Sequence, residues 1–393
     1  NADNVSMPMP LRYQTAGESH GNSLVALIDG LPEGLRVDLD FINHELHRRQ
    51  GGYGRGARQR IESDTAEILA GTRAGVTIGS PLCLRIVNRD HRLDDAAKTP
   101  SLSRPRPGHA DLAGSIKYGT TDCRGTLERA SARETAARVA AGAVARLLLR
   151  EYGVETFGFV RGAIDVRTDV MPTNDNWTTL KQARDASEIA CPDAHASQGI
   201  IDLIHRAKTE KDTVGGWCET HVFGCVPGLG TCMNWDERLD ARLAFAVMGI
   251  QAFKAVEIGL GRECAARFGS KVHDGIAYNE AARNATNFGF ERTSNNAGGL
   301  EGGMTNGMPV VVHGTMKPIS TLLQGMPSVD LTTHEAVQSQ YERSDVSAIA
   351  AASVVMEHVV AFEIARAFLL KFGGDTMRET SAAYQRFRET RPS

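Results

Sequence analysis

Apolar residues at helical spacing mark the clearest element of the chain. Val139, Ala143, Val144, Leu147 and Leu148 form one stripe downstream of Ser131, and Gly153 supplies a stop. Ser131, Ala132, Arg133 and Glu134 have the spacing of a capping box, which predicts a helix opening at that serine. Two Ala- and Val-rich stretches, 237–248 and 347–372, predict helices packed closely against other elements, the second closed by Gly373 and Gly374. Short apolar runs at 24–28, 76–78, 82–87, 160–166, 255–258 and 309–312 predict strands. Helices and strands alternate without a regular βαβ beat, so the pattern predicts an α+β fold rather than a doubly wound parallel sheet. Arg129-Ala130-Ser131 and Arg343-Ser344-Asp345 each lead into an Ala-rich helix that ends near an aromatic residue and a glycine. An internal pseudo-duplication and a chance likeness between Ala-rich helices both account for that echo.

Composition narrows the class. The 393 residues admit two or three domains or one large one, and a compact chain of this length buries about three quarters of its unfolded surface. A net charge of −3 gives no global attraction to nucleic acid or to an anionic membrane, so anion binding has to come from local clusters. No apolar run is long enough to span a bilayer, and residues 1–10 are polar without a signal-peptide core; a soluble, cytoplasmic protein is expected. The seven cysteines are scattered, with no C-x-x-C pair, and read as reduced thiols rather than metal ligands. No metal is expected.

Two histidines have unusual neighbours. His20 lies in Gly17-Glu18-Ser19-His20-Gly21, and His109 in Arg104-Pro105-Arg106-Pro107-Gly108-His109-Ala110-Asp111. Glycine, proline and charge surround each, which suits an imidazole held on a rigid turn for proton transfer. The arginines add an electrostatic signal: Arg48, Arg49, Arg55, Arg58 and Arg60 crowd around a Gly-rich turn, and no lysine precedes Lys98. A guanidinium fork grips carboxylate or phosphate bidentately, and glycines let the backbone approach the same anion; a solvated basic face is the plainer alternative for this cluster alone. No Gly-Lys-Ser/Thr follows those glycines, so they are not a P-loop, and the glycines at 298–303 are too loosely spaced for a dinucleotide fingerprint. Tyr53 alone does not make a nucleic-acid surface.

Read together, GESHG at 17–21, RRQGGYGRGARQ at 48–59, RPRPGHAD at 104–111, KYG at 117–119, RASARETAARVAAGA at 129–143, GIQAFKAVEIG at 249–259, NNAGGLEGGMTNG at 295–307, MKPIST at 316–321 and RSDVSA at 343–348 resemble the chorismate synthase family nearly end to end. The resemblance implies a single large β-α-α-β layered sandwich over 11–375, with helices between two antiparallel sheets. An N-terminal extension at 1–10 and a polar C-terminal tail at 376–393 flank it. It also implies a homotetramer. The activity implied is a lyase reaction of the shikimate pathway, in which 5-enolpyruvylshikimate 3-phosphate loses phosphate and a ring hydrogen to give chorismate. Reduced FMN is required without net redox change.

By the same resemblance, His20 matches the histidine proposed to protonate the reduced flavin, His109 the one proposed to protonate departing phosphate, and Asp345 the aspartate that helps the flavin act as base. Flavin contacts fall on Arg129, Ala130, Ser131, Gln251, Ala252, Gly302, Lys317, Pro318, Ile319, Ser320, Thr321 and Arg343. Arg49 and Arg55 match an anion pair attributed to substrate or to an NADP phosphate, and Arg133 and Glu134 are their neighbours. No added reductase domain is legible, so an external flavin reductase is expected and NADPH enters only indirectly or weakly. A hydride-transferring flavin oxidoreductase and a noncatalytic flavin or anion binder are the competing classes. Residues 162–235 match the family less clearly, and Trp177 has no assigned role.

Overall fold

In a computed structural model the described residues are 10–56, 62–339 and 345–390. Two antiparallel sheets carry the architecture. Sheet I has the spatial order Arg12–Ala16, Ser23–Asp29, Leu82–Val87, Ala66–Ala70. Its two central strands pair Leu24 with Ile86, Ala26 with Leu84 and Ile28 with Leu82, and all six side chains are buried on one face. The opposite face carries the half-exposed Leu27, the alternation of an antiparallel sheet wet on one side. Sheet II has the order Phe253–Ile258, Val310–Met316, Gly216–Phe223, Glu155–Ala163, Val166–Arg167. Here both faces of the central strands are buried, because Phe157, Phe159 and Phe223 on the outer face pack with Trp177 and Leu180.

Nine α-helices occur among the described residues: α1 Leu39–Gln50, α2 Asp111–Tyr118, α3 Arg124–Ala130, α4 Thr135–Arg150, α5 Trp177–Ala186, α6 Ala194–Thr209, α7 Leu239–Met248, α8 Ile349–Phe372 and α9 Met377–Glu389. α4 packs on sheet I, α8 packs on sheet II, and the two helices pack extensively on each other. In α8 every residue but Arg366, Leu370 and Lys371 is buried, the all-round burial of a helix between other elements. At the α4–α8 contact a Cβ on Gly142 would lie 2.4 Å from both the Cβ and the carbonyl oxygen of His358. Only glycine fits there.

Where α1, α4, α8 and sheet II meet, the core carries charge. Glu45 pairs with Arg48 and, at 2.9 Å, with Arg146; Glu357 lies 2.9 Å from Arg48, 3.3 Å from Arg146 and 3.3 Å from Arg184. Burial opposes ionisation of Glu357, but Arg146, Arg48 and Arg184 outweigh it and bring its carboxyl down to about 2. Glu45, Glu357 and His358 lie close enough to share a cation, yet these guanidiniums already balance the two carboxylates.

The order of elements is α+β, as the apolar pattern predicts, and α7 and α8 fall where expected. Several details differ. Ser131 caps a 3-10 turn, Ala132–Glu134, by accepting from Arg133 N at 3.3 Å, and α4 starts only at Thr135. The Glu134 carboxylate, which a capping box would turn back to Ser131, instead accepts from Thr15 Oγ1, Arg138 Nε and Gln251 Nε2. A capping box does form at Thr376 and Glu379, opening α9 within the segment read as a polar tail. The strand expected at 76–78 is the two-residue Val76–Thr77, paired with Thr72–Arg73, and that expected at 160–166 is split by Ile164 at φ 53°. The first nine residues, Arg58, Arg60 and Arg343 lie outside the described residues.

Candidate active site

The glycine-rich turn after α1 threads between the starts of the two central helices. Gly52 abuts Ala350 and Gly54 abuts Ser347 at the start of α8, and both glycines have positive φ. Just before the turn, Arg49 reaches the start of α4. Its Nε donates to Thr135 Oγ1 at 2.9 Å, Nη1 to Asp64 at 3.2 Å and Nη2 to the carbonyl of Ala132 at 3.2 Å. Burial lowers its guanidinium to about 10, with Asp64 opposing that shift. Arg133 donates to both oxygens of Asp64 at 2.6 and 2.8 Å and to Asn88 Oδ1 at 2.9 Å. Both arginines, expected at the substrate anion, are therefore buried and bonded inside the protein, although Arg133 Nη2 has no hydrogen-bond partner among the described residues and lies 3.6 Å from Glu62.

Arg55 has a different setting. Its Nη1 lies 3.1 Å from Asp345, whose other oxygen accepts from Gly56 N at 2.6 Å, and its buried Nε has no hydrogen-bond partner among the described residues. Both residues line a cavity of about 670 Å³ together with Gly54, Lys208, Lys211, Thr213 and Thr321. That volume is ample for a small-molecule or cofactor site. The N-terminal end of α8 faces the same region and adds positive potential there.

The histidine turns join this cavity through a chain of contacts. The GESHG turn is pinned from below: Asn88 Nδ2 donates to the carbonyls of Glu18 and Gly21, and Arg129 donates to those of Gly17 and Thr15. Ser131 Oγ meets Ser19 Oγ at 3.2 Å. His20 Nδ1 is 2.9 Å from Glu128 Oε1, while its Nε2 lies 3.4 Å from Arg92 and 3.8 Å from Asp90. The RPRPGH turn bonds the 317–321 segment: Arg106 Nη1 donates to Thr321 Oγ1 at 3.1 Å, and the Lys317 ammonium donates to the Gly108 carbonyl. Burial and the nearby Lys254 push that ammonium below its ordinary range. His109 Nδ1 bonds Asp111, which also accepts from Arg106 Nε at 2.9 Å. Lys317 N in turn donates to the carbonyl of Ala252, a non-glycine residue held at φ 69°. Such a conformation costs of order 1–3 kcal/mol and is concentrated at functional positions. Gln251, one residue earlier, donates to Glu134 and closes the circuit back to the start of α4.

Arg129, Ser131, Glu134, Gln251, Ala252, Lys317 and Thr321 are thus brought into one bonded circuit with both histidine turns, and Thr321 connects it to Arg55 and Asp345. Ala130 ends α3 beside it, and Pro318, Ile319 and Ser320 bridge Lys317 to Thr321. Gly302 does not join them. Its hairpin, Leu300–Glu301 with Met304–Thr305, follows the Gly298 segment that bonds Val311, whereas Ala252 and Lys317 flank the Phe253–Met316 end of the same strand pair. The length of those strands separates the two ends by roughly 15–20 Å. Sequence reasoning missed Glu128, Asn88 and Asp64, single polar residues whose burial no local pattern announces, and gave Asp111 no role.

A cavity that holds the Arg55–Asp345 pair, joined by a bonded circuit to two carboxylate-bound histidines and a strained backbone position, is the layout of an enzyme's small-molecule site. The chorismate synthase family model matches residues 11–369. The chain is 50% identical over 390 residues to the chorismate synthase of Desulforudis audaxviator, covering 96% of this chain and 97% of that one, and 48% identical to that of Acidobacterium capsulatum, covering 96% and 98%. A crystal structure of chorismate synthase superposes with a TM-score of 0.79 at 39% identity, over 98% of each chain. The chain belongs to the chorismate synthase family. It is a lyase of the shikimate pathway that forms chorismate. No described helix is long and apolar enough to cross a membrane.

Proposed function

We propose that the enzyme eliminates phosphate from 5-enolpyruvylshikimate 3-phosphate in a trans-1,4 sense, with reduced FMN bound in the circuit that joins Ala252, Lys317, Thr321 and Ser131. The orphaned Nε of Arg55 beside Asp345, inside a cavity of about 670 Å³, is the observation that carries this reading. A buried guanidinium nitrogen without a partner costs free energy that an anionic ligand offsets. The residues fit the flavin as well: Lys317 and Thr321 suit its phosphate, and the Ala252 backbone gives a ring close access. Held there, reduced FMN would supply transient electron donation without net redox change.

The protein's own groups do the rest. Arg55 holds a substrate anion and Asp345 orients Arg55 and stands by as the carboxylate partner of the flavin. His109, its Nδ1 bonded to Asp111, offers Nε2 to the departing phosphate. His20, its Nδ1 bonded to Glu128, offers Nε2 to the flavin. Arg49 and Arg133 act from behind by fixing the start of α4, and Arg343 belongs with the flavin contacts. The succession sheet I, α4, α8, sheet II reads as a four-layer β-α-α-β sandwich, and the protein works as a cytoplasmic homotetramer supplied by an external flavin reductase. In an anaerobic assay with chemically reduced FMN, many phosphates are released per flavin while the flavin stays reduced. One flavin oxidised per product would favour the hydride-transfer class instead, and binding without phosphate release the noncatalytic one.

The two arginines of the turn should separate under conservative replacement. Arg55→Lys keeps the charge but loses the fork, so the dissociation constant for substrate rises in a titration while the melting temperature holds. Arg49→Lys acts through stability, since its charged hydrogen bonds to Asp64, Thr135 and Ala132 are lost; a denaturant series should show a loss of about 1.5–3 kcal/mol.

A further inference from the structure

We propose that Glu128 and Asp111 are positioning residues: each is a buried carboxylate that holds the Nδ1–H of one histidine and turns its Nε2 toward the site. This rests on the reading of His20 and His109 as proton-transfer groups. The two arrangements are built independently, on different turns and different helices, yet they are the same. Glu128 on α3 places Oε1 2.9 Å and Oε2 3.0 Å from His20 Nδ1 and accepts the His20 backbone N–H at 2.9 Å. Asp111, the first residue of α2, bonds His109 Nδ1 through Oδ1 and accepts from Arg106 N at 3.1 Å and Nε at 2.9 Å through Oδ2.

An ionised carboxylate only accepts, so each Nδ1 carries the hydrogen and each Nε2 is the accepting nitrogen, at His20 with Arg92 3.4 Å away; at His109, Arg106 Nη2 also lies 3.1 Å from Nδ1. Both carboxylate side chains are fully buried, whereas the imidazoles keep 11% and 18% of their surface. Burial works against the charge on Glu128 and on Asp111. The hydrogen bonds from His20 in one case, and from His109 and Arg106 in the other, outweigh it and hold both carboxyls below their ordinary range. The other charged groups facing His20 are Asp90 and Arg92, with Arg124 3.6 Å from Glu128; those at His109 are Arg106 and, through the Gly108 carbonyl, Lys317.

The test is Glu128→Gln and Asp111→Asn in the full chain, assayed with reduced FMN under anaerobic conditions across pH. The amides keep the shape and can still accept from Nδ1–H, but remove the charge. Turnover should fall roughly 10- to 100-fold, less than on loss of the histidine itself, with KM for substrate within about twofold. The alkaline limb of the pH–rate profile should move to lower pH, because the anionic partner of the imidazolium is gone. Glu128→Asp and Asp111→Glu, which keep the charge, should return that limb toward its original position. Unchanged turnover and profile would overturn the proposal. A loss of rate that tracks the melting temperature and KM without moving the profile would also overturn it, as the mark of a merely structural carboxylate. If His20→Ala and His109→Ala themselves retain full turnover, the reading of the site fails first, and that result is distinct from failure of the carboxylates alone.

Discussion

Alanine in place of His109 or His20 should lower turnover by roughly 10² to 10⁴, the span of a lost general acid or base, with substrate binding changed much less. Each imidazole sits on a turn whose backbone is fixed from several sides. Ser19 N donates to the Glu128 carbonyl, Asn88 spans Glu18 and Gly21, and Arg106 ties the second turn to Thr321. Truncating the ring leaves those bonds in place but takes the Nδ1 bond from a buried carboxylate, so the loss of kcat is expected beside a smaller loss of stability, about 1–3 kcal/mol. Single-turnover phosphate release, followed beside the melting temperature of each variant, separates the two effects. Near wild-type turnover at every pH would return that histidine to a structural role.

Arg146→Met should produce the largest loss of stability of any single change outside the site, about 3–5 kcal/mol by denaturant unfolding. Arg146 lies 2.9 Å from Glu45 and 3.3 Å from Glu357, and its side chain is only 2% exposed. Removing it leaves Glu45 with Arg48 and the His358 ring at 3.3 Å, and Glu357 with Arg48, Arg184 and the Thr156 hydroxyl. Because the native Glu357 carboxyl is brought down to about 2, below its unfolded value of about 4.3, its contribution is complete above that unfolded value and is lost as pH falls toward about 2. The wild type should therefore lose stability across that window, whereas the variant starts lower and loses less on further acidification. Equal stability of the two proteins at neutral pH would contradict this.

Local pattern announced the elements whose chemistry is simple. α8 was legible because Ala, Val and other apolar residues dominate it from end to end, and the strand of sheet I that buries Leu24, Ala26 and Ile28 stood out as a short apolar run. Gly216–Phe223 gave no such signal. It lies in the middle of sheet II with Glu219, Thr220 and His221 all buried, and Glu219 is tolerated there because His221 meets it at 2.6 Å, His313 at 3.1 Å and Arg161 at 3.4 Å. The start of α4 was misplaced for a related reason: Glu134 has better partners in Arg138 and Gln251 than the backbone N–H of a capping box. In the site, the motif segments were legible through family resemblance, and the structure joins most of them. The engagement of Arg49 and Arg133 with Asp64 was not, since an arginine beside glycine reads alike whether its fork faces a ligand or a buried aspartate.

The close contact of Gly142 with His358 makes the core a spacer between two parts of the site. α4 begins at Thr135, directly after the Ser131–Glu134 turn, and α8 begins at Ile349, just after Asp345 and Val346 of the cavity wall, so the packing of the two helices sets how that turn stands relative to the cavity. Where they touch, one hydrogen atom stands in for a side chain. The glycine is a shim, and its thickness is copied along two stiff rods to the chamber. Any side chain at Gly142 would force the two rods apart, so the geometry of the site is set in the core, about two turns along α4 from its first residue.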